Sequence, residues 1–204
     1  MWRFAKHYAL EIYTVIAMLL IVGVAVFMGE LTVIQKFVVF LSFIFVLHEW
    51  EEGHYPGGFL DLISEHVLHM DVDKETKLGS RLVTGVFLFV MTVVPFLWGD
   101  AIPLFAVVIA VFSIFEGLVH IAGIKLFRLS KPYTPGMLTA EIELVSAVAL
   151  IVYLAANHLA AWHDYVFAPF VFIACFAVMQ RTLMGMIGLR YKDMLAIMKK
   201  RLGR

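Results

Sequence analysis

Six apolar runs decide what this chain can become. They cover roughly residues 9–28, 32–50, 82–98, 101–123, 137–157 and 165–187. Each approaches the ~20 residues that an α-helix needs to cross bilayer hydrocarbon. Of the 204 residues, 62% are hydrophobic and 16% charged, against about 45–50% and about 25% in ordinary soluble domains. The expected fold is therefore an all-α polytopic membrane bundle, a single domain of about six spans. The first run follows a basic start but ends at Val26-Phe27-Met28-Gly29-Glu30, which lacks a small-x-small cleavage pattern. It reads as a retained helix.

The segments between the runs set orientation. With the N-terminus inside, all but Lys36 of the 16 Lys and Arg residues fall on the inner side, as the positive-inside rule expects. Trp98 and Trp162 then mark the outer interface and Trp2 and Trp50 the inner one. Both termini are expected in the cytoplasm, and the inner (plasma) membrane of a bacterial-type cell is the expected address. Between spans two and three, Phe59 to Met70 has the pattern of an interfacial helix. The tail from Leu189 alternates apolar and basic residues like a surface-lying helix. The basic residues are not interleaved with stacking aromatics, so nothing points to nucleic acid. A lone Cys175 allows no disulfide within the chain and no thiolate-rich metal site.

Against this background the end of the second run stands out. Leu47-His48-Glu49-Trp50-Glu51-Glu52-Gly53 places a histidine and three carboxylates where charge is expensive and usually functional. Helical spacing puts His48, Glu51 and Glu52 in one sector, with Glu49 pointing away. The expected topology brings further groups to the same level. The fourth span ends near Glu116 and His120, at (i, i+4), and the fifth begins with Glu141 and Glu143. Glu141 lies nearer the interface and is the weaker candidate of the two. His66 and His69, three apart on the interfacial segment, could add ligands but read more simply as solvated.

Two local patterns in this region also carry a resemblance. His48-Glu49-Trp50-Glu51-Glu52 fits H-x-x-E-E, Tyr133-Thr134-Pro135-Gly136 fits Y-x-P-G, and His120 lies between them. Together they resemble the HXXEE-domain family over roughly residues 40–140. That family consists of membrane proteins without an assigned reaction. The resemblance thus marks His48, Glu51, Glu52, His120 and the 133–136 turn, and implies no chemistry of its own.

The residue types suggest what the chemistry could be. Imidazoles with carboxylates suit zinc, iron or manganese, and not a soft metal that prefers thiolates. The expected ligands are His48, Glu52, Glu116, His120 and Glu143, in a catalytic single-metal or two-metal centre. Glu51, Glu52 and Tyr133 are the expected catalytic groups, with Tyr133 a donor or substrate clamp on a stiff turn. The substrate class is a membrane lipid or small amphiphile arriving from the cytoplasmic leaflet. The same cluster also suits a proton-coupled carrier, a metal-free acid–base isomerase or a non-catalytic scaffold. A carrier would favour a midplane site and paired broken helices, which the sequence lacks. Haem between His48 and His120 would bury carboxylates against an apolar macrocycle.

Overall fold

The computed structural model describes residues 2–68, 71–188 and 192. The tail from Leu189 and His69 with Met70 fall outside them, apart from Lys192. The described residues form helices joined by loops, with no strand among them. A short α1 (Trp2–His7) leads into α2 (Ala9–Val26) and α3 (Val33–Gly53). The small α4 (Phe59–Ile63) runs into a single π-helical turn, Ser64–Leu68. Four long helices follow: α5 (Lys74–Trp98), α6 (Leu104–Leu126), α7 (Met137–Ala156) and α8 (Trp162–Met186). Helices α2, α3 and α5 to α8 are each long and apolar enough to cross a membrane, so the protein is an all-α, six-span bundle.

Helix ends follow from local chemistry. Thr32 and Gln35 form a reciprocal capping box that starts α3. Asp73 accepts the Thr76 amide at 3.0 Å and its hydroxyl at 2.6 Å, which starts α5 at Lys74. That is eight residues before the apolar run begins, so the polar turns Lys74–Arg81 extend the third span. Conversely, Pro103 holds back the start of α6 until Leu104. At this same end, the Thr32 hydroxyl donates to Asp100 at 2.8 Å and ties two loops together.

The six spans form a closed ring in the order α2, α3, α7, α6, α8, α5, with α3 and α5 also in contact across it. Burial shows which helices are central. Half of the most apolar window of α3 and of α6 is buried, against 17% for α2 and α8. Val38, Leu41 and Phe45 of α3 meet Ile109 and Phe112 of α6 and Leu150 and Leu154 of α7 in the core. Phe45 and Phe112 stack with ring centroids 4.6 Å apart. Apolar side chains on α2 and α8, such as Leu19, Val22, Phe170 and Ile173, remain exposed as lipid-facing surface. Gly117 lets α6 approach α7, since a Cβ there would meet Leu144 Cδ1 at 2.6 Å. The ends of α3 and α6 and the start of α7 are thereby locked together at one end of the bundle.

Candidate metal centre

His48 and Glu52 lie one turn apart on α3, and His120 faces them from α6. Glu52 Oε1 is 3.3 Å from His48 Nε2 and 3.2 Å from His120 Nε2. The two imidazoles meet edge to face, with centroids 4.9 Å apart. Glu116, one turn before His120, completes a set in which one ligand atom each from His48, Glu116 and His120 lie within 4.8 Å of one another. This group could hold a metal ion. His120 is fully buried and His48 nearly so.

The opposite ring nitrogens fix the tautomers. His48 Nδ1 lies 3.0 Å from the Gly136 carbonyl, which can only accept, so Nδ1 carries the proton. His120 Nδ1 lies 3.0 Å from Thr134 Oγ1, whose own hydroxyl donates to the His120 carbonyl at 3.2 Å. That leaves the Thr134 oxygen to accept, and His120 Nδ1 is protonated as well. In the neutral rings both Nε2 lone pairs then point toward Glu52 and Glu116. His120 Nε2 has no hydrogen-bond partner among the described residues despite its burial; its contact with Glu52 lacks hydrogen-bond alignment. Two inward lone pairs beside two carboxylates repel unless a proton or a metal cation lies among them. Histidines held by Nδ1–H and ligating through Nε2 are the usual metal-site arrangement. The N/O donor set fits a zinc, iron or manganese ion.

Glu51, adjacent in sequence, does something different. Its carboxylate turns to the start of α7, where the cap residue Gly136 has no side chain to offer. Glu51 accepts the Leu138 amide at 3.2 Å, the Thr139 amide at 2.9 Å and the Thr139 hydroxyl at 2.6 Å. It also accepts the Tyr133 hydroxyl at 2.6 Å. A carboxylate from α3 thus caps α7 and meets its positive end. Burial, with the hydrogen bond to Glu51, raises the Tyr133 phenol above its ordinary pKa. Gly136 has φ +92°, and a Cβ on it would meet Glu52 Cγ at 2.7 Å and the Cε1 atoms of both histidines at 2.8 Å. Only glycine fits against the site there.

The other expected residues distribute as follows. Glu143 of α7 is fully buried and neither of its oxygens has a hydrogen-bond partner among the described residues. It lies outside the group formed by His48, Glu116 and His120. Glu141 is exposed. His66 Nδ1–H donates to the Leu62 carbonyl at 3.2 Å, and its ring packs against Phe127, 5.7 Å away. The segment from Phe59 is α-helical to Ile63 and continues as a π-helical turn to Leu68, so the helix expected from its pattern is present over the described residues.

Sequence reasoning missed several supports. Phe59 stacks on His120 with centroids 4.7 Å apart, so α4 covers the centre. Thr134 and Thr139 orient the two histidines and Glu51. Arg81 of α5 donates to the Gly53 carbonyl at 3.1 Å and, with Lys77, Glu49 and Glu52, lines a cleft of about 110 Å³ beside the centre. Threonines 14 or more residues from any histidine in the chain carry no signal in one dimension. Arg81 was visible only as one more inside charge.

Fold and site together define a polytopic helical membrane protein with a buried His/Glu cluster at one end of its bundle. Comparison with protein-family models, curated proteins and solved structures returned no match.

Proposed function

We propose that this protein is a metal-dependent membrane enzyme acting on a lipid or other amphiphile at the cytoplasmic leaflet of a cell's inner (plasma) membrane. The observation that carries this reading is the pair of histidines whose protonated Nδ1 atoms are held from outside while their Nε2 atoms converge with Glu52 and Glu116. His48, His120 and Glu116 would hold the ion, with Glu52 beside them as a further ligand or as the acid–base group. A bound zinc, iron or manganese ion would supply Lewis-acid activation of water or of a substrate carbonyl or phosphoryl oxygen. The chain's own residues orient and enclose. Glu51 and Tyr133 fix the start of α7, Gly136 and Thr139 hold His48, Thr134 holds His120, and Phe59 keeps bulk water from its face. The cleft along Arg81 and Lys77 gives a membrane-level approach to Glu52. Membership of the HXXEE-domain family belongs to the same proposal, supported by the contacts between its two motifs.

A second reading, a proton-coupled carrier, draws on Glu143, buried in α7 with both oxygens unpartnered. Elemental analysis of purified protein separates the two. About one equivalent of metal, lost in His120→Ala, supports the enzyme; a folded parent that neither contains nor takes up metal removes it.

A further inference from the structure

Glu49, the carboxylate of the motif that neither meets the histidines nor caps α7, lies where two cavities meet. On one side is the cleft of about 110 Å³ lined by Glu52, Gly53, Lys77 and Arg81. On the other is a slot of about 120 Å³ between α2, α3 and α5, walled by Tyr13, Ala17, Leu20, Phe45, Leu88 and Phe89. Glu49 lines both. A single water needs only about 10–15 Å³ of such space, so each holds a chemical group of some size.

The two cavities differ in chemistry. The hydroxyls of the slot are already satisfied within the protein. Ser42 and Thr92 bond each other at 2.7 Å, and Tyr13 donates to the Leu82 carbonyl at 3.3 Å. Apart from Glu49, the slot therefore offers an occupant only apolar contact. In the cleft, Lys77 is paired with Asp61, but Arg81 is not matched. Its guanidinium gives one hydrogen bond to a backbone carbonyl and has no carboxylate at ion-pair distance among the described residues. A guanidinium fork with unused donors suits a carboxylate or phosphate.

We infer that the two cavities form one binding site for a single-chain anionic amphiphile. The alkyl chain lies in the slot between α2 and α5, and a carboxylate or phosphate head meets Arg81. The linkage between them passes Glu49 and reaches the Glu52 side of the metal centre. The inference rests on the proposed function in naming that site's substrate class; the binding itself requires no metal.

The test uses full-length protein in phosphatidylcholine nanodiscs and three alkyl diazirine probes of equal chain length, headed by carboxylate, phosphate or trimethylammonium. After photolysis, labelled positions are mapped by mass spectrometry, and metal content is measured on the same samples. Labelling by the anionic probes is expected on α2 and α5 around Leu20 and Phe89, about tenfold above the ammonium probe. Their relative yields tell carboxylate from phosphate. Arg81→Gln lowers anionic labelling about tenfold and Leu20→Trp blocks it, both with parental metal content. Slot labelling in protein without metal leaves the binding site standing and removes the metalloenzyme reading. Equal labelling by the ammonium probe, or labels spread over the outward faces of α2 and α8 regardless of either variant, overturns the inference even in metal-loaded protein.

Discussion

The Nδ1–H of His48 donates to the Gly136 carbonyl at 3.0 Å, across 88 residues of chain. This one bond sets the tautomer of a histidine on α3 by the backbone at the start of α7. It makes the H-x-x-E-E stretch and the Y-x-P-G turn one structural unit. Gly136 serves twice, because its left-handed φ turns its carbonyl to His48 while its missing Cβ leaves room for both imidazoles.

Gly136→Ala should therefore damage the centre without replacing a ligand. The added methyl meets Glu52 and both histidines below 3.0 Å, and the positive φ adds backbone strain. A stability loss of about 1–3 kcal/mol is expected, with metal affinity lowered. A denaturant titration in detergent and a competitive chelator titration read the two effects.

Glu51 is expected to act on α7 and not on a substrate. Glu51→Gln replaces an acceptor of four hydrogen bonds by an amide that accepts at one atom only. Bonds to a charged group contribute about 1.5–3 kcal/mol each, and removal of the charge also forfeits the interaction with the helix end. Thermal unfolding should shift down markedly. Metal affinity should fall about 10–100-fold through Thr139 and His48. An unchanged melting temperature with lost activity would instead make Glu51 a catalytic group.

Tyr133 supplies a pH prediction. Its phenol is raised above the ordinary value by burial and by its hydrogen bond to Glu51. In the folded protein it holds its proton at pH values where the unfolded chain has lost it. The stability this contributes is complete below the unfolded value near 10 and is lost as pH rises through the folded one. Ultraviolet difference titration at 295 nm should show fewer phenols ionising near pH 10 to 11 than in unfolded chain, and Tyr133→Phe should reduce the difference by one.

Phe59 covers one face of His120, so Phe59→Ala should open the centre to solvent. A stacked aromatic pair contributes about 0.5–1.5 kcal/mol, small enough for the bundle to remain folded. The expected outcome is faster metal removal by a chelator at nearly unchanged total metal content, followed by stopped-flow absorbance.

Much of this architecture was legible in the sequence. The spans were visible because lipid demands runs of apolar residues, and helix ends moved where capping chemistry won over hydropathy. Asp73 with Thr76 lengthened α5, and Pro103 moved the start of α6 to Leu104. The meeting of His48 with Glu116 and His120 followed from span direction alone, since alternate helices must end at the same side. What one dimension could not show was the division of labour among neighbours. Glu51 and Glu52 are adjacent, yet one caps α7 and the other reaches the histidines, a choice made by the register between α3 and α7. Nor could it show Thr134 and Thr139, whose hydroxyls matter only because a turn 14 residues from His120 folds back on it.

Whether the His48–His120 pair binds a metal is decided by elemental analysis of detergent-purified protein. The parent is compared with His48→Ala, His120→Ala and Glu116→Gln, and folding is followed by circular dichroism. About one equivalent of zinc, iron or manganese is expected in the parent, absent from the histidine variants and reduced in Glu116→Gln, with helical content preserved. A well-folded parent that carries no such metal and takes none up on addition would contradict metal binding by this pair.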